Sequence, residues 1–89
     1  MIINELTMEI NKEDYIIDSL AAGYKIESID SNNIEFAGFK EGRTFIQFRS
    51  GATYFYKDLP KEAVLSGKFR KYKADIVLSR KAVVPIDKK

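Results

Sequence analysis

The residues best suited to chemistry in this 89-residue chain are cations and aromatic rings. Lys68-Phe69-Arg70-Lys71-Tyr72-Lys73 is a basic run with two aromatics interleaved. Lys and Arg in such density neutralise phosphates and release counterions, an affinity that needs no particular base sequence. Further upstream stand Arg49, Tyr54 and Tyr56. Aromatic faces stack on bases, and a guanidinium beside them adds charge. The candidate nucleic-acid-binding set is therefore Arg49, Tyr54, Tyr56, Lys68, Arg70, Lys71 and Lys73. The ordinary alternative is a solvated helix face for the cations and a packed core for the tyrosines, since a small domain needs its aromatic area buried.

Catalysis is hard to build from this inventory. There is no Cys and no His, which excludes disulfides, thiol chemistry, Ser-His-Asp triads and imidazole metal ligands. No Ser stands three places before a Lys. Gly38 to Thr44 is similar to a phosphate loop, but it has three residues between its glycines where the motif needs four, and Arg43 where it needs Lys. Asp30-Ser31-Asn32 starts like a calcium loop and lacks the glycine and distal glutamate that complete one. The expectation is a noncatalytic protein with no cofactor and no metal.

Charge is divided along the chain. Residues 1–42 hold three basic residues and nine acids, net −6; residues 43–89 hold twelve basic residues and four acids, net +8. A division this large suggests partners of opposite sign, or two halves that attract each other. Glu5, Glu9, Glu13, Asp14 and Asp18 form an alternative, partner-binding set that would dock on a basic protein surface. Leu, Ile, Val and Phe number 26, enough for a small core. The chain reads as a single domain, 1–89, with an acidic half and a basic half. The first ten residues carry two acids and no basic residue, unlike a secretory signal, and no apolar run is long enough to span a bilayer. The expected location is the cytoplasm, with no membrane partner.

The elements that must position these groups read as α+β. Asn11 can cap a helix over roughly 12–22, with Glu13 and Asp14 at its positive end and Ile16, Ile17, Leu20 and Ala21 on one side. Leu6, Met8 and Ile10 alternate like a strand, while Ile3, Leu6 and Ile10 fit a helix, so the stretch before Asn11 reads either way. Residues 24–36 read as strands around an Asp30–Asn33 turn, with a loop at Gly38 to Gly42. Arg43 to Arg49 and Ala52 to Lys57 form a hairpin around Ser50-Gly51. A two-residue loop pairs Phe48 with Thr53, putting Ile46, Phe48, Thr53 and Phe55 on one face and Phe45, Gln47, Arg49, Tyr54 and Tyr56 on the other. A longer loop shifts that partition. With Asp58 as cap and Pro60 in the first turn, Leu65, Phe69, Tyr72 and Ile76 trace a second helix over about 60–73, bent or split at Gly67. Ile76 to Leu78 and Val83-Val84 are β-prone and can add a last strand. The sheet so formed has edges open to pairing between chains, so a homodimer is a candidate state.

Ile46 to Arg49, Ser50-Gly51, Tyr54-Phe55-Tyr56 and Leu59-Pro60 together resemble the KTSC family, a short module named for the C-terminus of some lysyl-tRNA synthetases. The family has an apolar strand, a turn with Gly, a Tyr-x-Tyr and a Val-Pro or Leu-Pro opening a helix. Ser66-Gly67-Lys68-Phe69 is similar to its later Ser-x-Gly-x-Phe/Tyr region, with Gly one place early and a shorter intervening helix. The resemblance covers roughly residues 43–76. It implies a small noncatalytic binding module, for which RNA binding has been suggested. Two functions follow as expectations. The first is a module contacting RNA or single-stranded DNA through a basic helix and an aromatic hairpin. The second is a phage- or mobile-element-encoded inhibitor or adaptor that binds a host protein, which the small size and the Lys- and Ile-rich, Cys-free composition fit.

Overall fold

Asn11 and Asp18 each cap a short turn, and between them Tyr15, Ile16 and Ile17 run extended. In the computed structural model, which describes residues 7–87, this segment is not a helix. Lys12–Asp14 is one 3-10 turn, with Asn11 Oδ1 accepting from the Glu13 amide at 3.1 Å. Ser19–Ala21 is another, with Asp18 Oδ1 accepting from the Leu20 amide at 3.0 Å. Tyr15–Ile17 between them is strand β2. The cap at Asn11 forms as the sequence suggests, but the helix over 12–22 does not. Aromatic and β-branched residues at 15–17 favour an extended chain, and an antiparallel partner, Val83–Pro85 (β8), meets them. Tyr15 and Ile17 then face the core while Ile16 faces out.

The rest of the chain is a six-stranded antiparallel sheet in the order β1-β3-β4-β5-β6-β7. The strands are Thr7–Glu9 (β1), Lys25–Ile29 (β3), Ile34–Lys40 (β4), Arg43–Phe48 (β5), Thr53–Lys57 (β6) and Ala74–Leu78 (β7). One α-helix, Lys61–Ser66 (α1), accompanies eight strands in two sheets among the described residues. The α+β reading with two helices is therefore corrected to a mostly antiparallel β architecture. The second helix ends at Gly67 instead of near residue 73. Gly67 adopts φ +75°, its amide donates to Val64 O at 3.2 Å, and the Lys68 amide donates to Ala63 O at 3.0 Å. This pair of bonds closes a helix in left-handed geometry. The amino-terminal cap is also different: Pro60, not Asp58, precedes the helix, and Asp58 itself has φ +58°. β4 continues through Gly38 to Lys40, so the loop expected from Gly38 shrinks to Glu41-Gly42.

The hairpin register differs by one residue from the two-residue-loop reading. Gln47 pairs with Thr53, Ile46 with Tyr54, Phe45 with Phe55 and Thr44 with Tyr56. The loop is Arg49-Ser50-Gly51, closed by Phe48 N–H to Ala52 O at 2.8 Å and Gly51 N–H to Phe48 O at 3.0 Å. Gly51 supplies the positive φ, +112°, that a three-residue hairpin loop needs at its third position. Because side chains alternate, the slip exchanges the partition of several residues. One face of the sheet carries Ile26, Phe36, Phe45, Phe55 and Leu78, covered by Ala21, Tyr24, Ala82 and Val83. The opposite face carries Ile29, Ile34, Ala37, Ile46 and Tyr56, covered by Leu59 and Val64.

Two buried polar side chains tie the first cover down. Gln47 Nε2 donates to Val83 O at 2.9 Å and to Glu35 Oε1 at 3.0 Å, and Val83 N–H donates to Gln47 Oε1 at 2.7 Å. Thr53 Oγ1 donates to Arg80 O at 2.9 Å and accepts from Ala82 N–H at 3.1 Å. Satisfied in this way, neither pays the cost of a buried unpaired polar group. Both halves of the chain share one sheet, since β4 pairs along its length with β5.

Gly38 and Phe45 sit opposite each other on β4 and β5. The Phe45 ring lies directly over the Gly38 backbone, so a Cβ on residue 38 would overlap Phe45 Cδ2, Cε2 and Cζ. The ring is 0% exposed and held by Tyr24 and Phe55 at centroid distances of 5.1 and 5.4 Å. Glycine in a strand interior is here a close-approach position. Gly38→Ala is expected to destabilise by about 1–3 kcal/mol through overpacking. Thermal unfolding should show it as a fall of about 4–8 °C per kcal/mol. An unchanged melting temperature would contradict this packing.

Candidate nucleic-acid interface

After Gly67 the chain turns back across the second face of the sheet. Residues 67–73 have no regular structure beyond a turn, in which the Tyr72 amide donates to Phe69 O at 3.0 Å. Phe69 and Tyr72 are half-buried against the sheet, whereas Lys68, Arg70, Lys71 and Lys73 are exposed. A helix was expected to divide these residues into the same two sets. An irregular arch does so instead, because Gly67 ends the helix and β7 begins at Ala74.

Beneath the arch lies a cleft of about 420 Å³, walled by Phe48, Tyr54, Tyr56, Phe69 and Tyr72, with Arg70 and Ser50 at its border. Phe48 and Tyr54 meet edge to face at 5.2 Å, and Tyr54 and Tyr56 lie nearly parallel at 6.5 Å. Phe69 reaches Tyr56 at 6.4 Å and Phe48 at 6.3 Å. Tyr54 is half-buried, whereas Tyr56 is 4% exposed and forms the floor. Burial first, and the neighbouring Tyr54 second, hold the Tyr56 phenol above the usual tyrosine value of 10.0. Tyr56 is thus a core residue and offers no open face for stacking. Phe48, placed on the other face by the two-residue-loop register, belongs to the cleft. The signal that finds it is the longer-loop option at Arg49 to Gly51.

The charges sort into paired and unpaired groups. Lys61 Nζ lies 2.9 Å from Glu27 Oε1, Arg80 bonds Asp18 at 2.7 Å, and Lys81 bonds Glu35 at 3.2 Å. Each of these joins a cation of the basic half to an acid of the acidic half. Arg43 grips Asp75 through two bonds of 2.9 and 3.1 Å. Lys68, Arg70, Lys71 and Lys73 belong to none of the ion pairs among the described residues. Lys71 Nζ sits 5.8 Å from the Tyr72 ring centre. Arg49 stands apart from the tyrosines: its Nε donates to Ser31 O at 3.0 Å and its amide to Asn33 O at 2.8 Å, tying the hairpin tip to the neighbouring turn.

In the acidic set, Glu9 and Glu13 are exposed and Asp14 is half-buried. Asp18 is engaged first by the Leu20 amide and then by Arg80, which together keep its carboxyl below the usual aspartate value. Glu5 lies outside the described residues. The structure therefore brings Tyr54, Tyr56 and Arg70 to one cleft, while Lys68 and Lys71 line a separate hollow that shares Arg70 with it, and Lys73 lines neither. It does not bring Arg49 into that cleft.

A larger hollow, about 660 Å³, opens on the same face between Phe39, Leu59 and Lys61, with Glu27 at its base. Glu27 is 3% exposed. Burial pushes its carboxyl up, and the opposing pull of Thr7, Lys61 and Lys25 outweighs that and leaves it lowered. Lys61 fills the role of internal counterion here, its ammonium also 5.1 Å from the Phe39 ring centre.

Comparison of the chain with protein-family models, curated proteins and solved structures finds no match in any of the three. Among the described residues no helix is long and apolar enough to cross a membrane.

A lowered carboxylate contributes stability that is complete above its unfolded value, 4.5 for Glu27, and is lost as pH falls through the lower folded value. Glu27→Gln is expected to lower stability at neutral pH and to flatten the fall in stability as pH drops below 4.5, leaving the slope from Asp18 and Asp75. Urea unfolding at a series of pH values measures this. An acid limb as steep as that of the unsubstituted chain would contradict the assignment.

Proposed function

We propose that this chain is a noncatalytic binding module for single-stranded nucleic acid, RNA or DNA. The observation that carries the reading is the position of the unpaired cations. Lys25, Arg43, Lys61, Arg80 and Lys81 each already pair with an acid, while Lys68, Arg70, Lys71 and Lys73 are exposed and outside those pairs, on the arch whose Phe69, Arg70 and Tyr72 line the aromatic cleft. Phosphates would run along this arch. A base would enter against Tyr54, Phe48 and Tyr72, whose edges line the cleft. A single strand can turn its bases into such a site, while a duplex keeps them stacked. The resemblance to the KTSC family, carried by Tyr54-Phe55-Tyr56 and Leu59-Pro60, supports the same class of function. The alternative, an acidic face of Glu5, Glu9, Glu13, Asp14 and Asp18 for a host protein, keeps Glu9 and Glu13 exposed but has Asp18 drawn into a pair with Arg80.

Fluorescence anisotropy with labelled single-stranded RNA, single-stranded DNA and duplex DNA across a salt series tests the proposal. Four phosphate contacts predict a slope of log affinity on log salt of about −2.8 for single strands, or about a 50-fold loss between 50 and 200 mM salt. Reversing Arg70 and Lys71 together to Glu should weaken binding and reduce the slope. Tyr54→Ala should cost about 1–3 kcal/mol and leave the slope unchanged. No binding at low salt, or binding indifferent to salt, would overturn the reading.

A further inference from the structure

The strand order turns the charge division of the chain into a difference between the two edges of the sheet. β1, β3 and β4 come from residues 1–42 and β5, β6 and β7 from residues 43–89, and the sheet keeps them in that order. At one edge β1 presents Met8, 68% exposed, with Glu9 exposed beside it. Asp30 follows β3 at the same edge and is exposed too. At the other edge β7 presents Ile76 and Val77, 37% and 55% exposed. The unpaired Lys71 and Lys73 lead into it. Among the described residues β1 pairs only with β3 and β7 only with β6.

Sheet edges are normally blunted by Lys, Pro or a bulge at the outer rim. β7 reads Ala-Asp-Ile-Val-Leu and contains neither Lys nor Pro. Its one irregularity lies near its start, opposite Phe55 and Tyr56, and its one charge, Asp75, is held by Arg43. Two apolar β-branched side chains therefore stand on an edge strand.

Charge decides what fits there. Pairing β7 with its own copy would bring the unpaired Lys71 and Lys73 that lead into it towards the Arg80-Lys81 turn that follows it, where the nearby acids Asp18 and Glu35 are already taken. Like charges facing each other across strands are unfavourable. The β1 edge of another copy carries the opposite sign and an exposed apolar side chain of its own. We propose that the β7 edge of one copy takes the β1 edge of a second. The contact is head to tail and continues the sheet from one molecule into the next. It shares Lys71 and Lys73 with the proposed phosphate path, and Val77 pairs with the cleft residue Tyr54, so its test is read in the absence of nucleic acid. With three residues in β1 the contact is short, so it is weak, and the charges that guide it are screened by salt.

Sedimentation equilibrium of the full chain, over protein concentration and at low and high salt, tests this. The weight-average mass is expected to rise above the 10.2 kDa monomer with concentration at low salt and to fall back as salt is added. Val77→Lys and Met8→Lys are surface changes, and circular dichroism should confirm that each variant is folded. Each alone should be monomeric, because each loses one edge. An equimolar mixture should recover a species of about twice the monomer mass, joining the intact β7 edge of Met8→Lys to the intact β1 edge of Val77→Lys. Self-association that survives Met8→Lys would show β7 pairing with itself and overturn the proposal. A monomer at every concentration and salt would overturn it as well, leaving the edge to a foreign strand or to none. Neither result bears on nucleic-acid binding at the cleft.

Discussion

Arg49, Ser50 and Gly51 form a loop of three residues, and the rest of the structure depends on that length. With Gly51 at positive φ, Gln47 falls opposite Thr53 and Phe45 opposite Phe55. Gln47 and Thr53 then share a face and can receive the chain at Arg80 to Val83 through buried hydrogen bonds. Phe48, Tyr54 and Tyr56 share the other face and can be covered by the arch after α1. A loop one residue shorter would exchange Phe48 and Phe45 between faces. The amide of Gln47 would also lose the backbone groups of Val83 that now satisfy it, at the cost of a buried unpaired group. Both covers of the sheet are thus tied to one turn.

The close approach of Phe45 to Gly38 follows from the same register. A large ring opposite a residue without a side chain lets β4 and β5 stay paired while the ring remains wholly buried. Full burial of such a side chain stabilises by about 1.5–3 kcal/mol, a substantial share for so short a chain. Tyr24 and Phe55 then pack edgewise or tilted on the same ring, as aromatic quadrupoles prefer. The turn that ends at Ala21 brings Tyr24 to this position, so capping by Asp18 acts on the core as well as on the surface.

Much of the sheet was legible in the sequence, because alternation survives wherever a strand has one polar neighbour on each side. β3, β4, β5 and β6 lie close to where Tyr24 to Lys57 alternates, and the β-prone residues at 76–78 and 83–84 form β7 and β8. The failures have separate physical causes. Ile16, Ile17, Leu20 and Ala21 fit a helical period, but the period cannot see that Val83 to Pro85 will supply a strand partner 66 to 70 residues away. Leu65, Phe69 and Tyr72 also fit a helical period and do pack on one face, but an irregular chain carries the last two there. Spacing reports which side chains point inwards more faithfully than it reports the backbone between them. At the candidate site, the cations of 68–73 were legible as a cluster, whereas Arg49 was not separable from it without knowing that the Asp30–Asn33 turn would engage its guanidinium. Tyr56 and Tyr54 look alike in sequence, and only the position of Phe69 distinguishes floor from wall.

The charge division acquires a spatial meaning through the topology. A meander keeps sequence neighbours adjacent, so an acidic first half and a basic second half become two ends of one sheet. Where the ends are folded over each other, opposite charges meet: Arg80 reaches Asp18 and Lys81 reaches Glu35, both on the cover that the β2–β8 ribbon lays across the sheet. Surface pairs of this kind contribute little stability individually. Their larger effect is to remove those charges from the outer field. Among the charges left over, four cations stand close together in sequence: Lys68, Arg70, Lys71 and Lys73. Cations remain on the arch beside the aromatic cleft and at the approach to β7, and acids remain beside β1. Field strength at a protein surface follows from such unpaired groups more than from net charge. A chain with a formal net charge of only +2 can therefore present a strongly cationic surface at one place, and the folding of its two halves onto one sheet is what creates it.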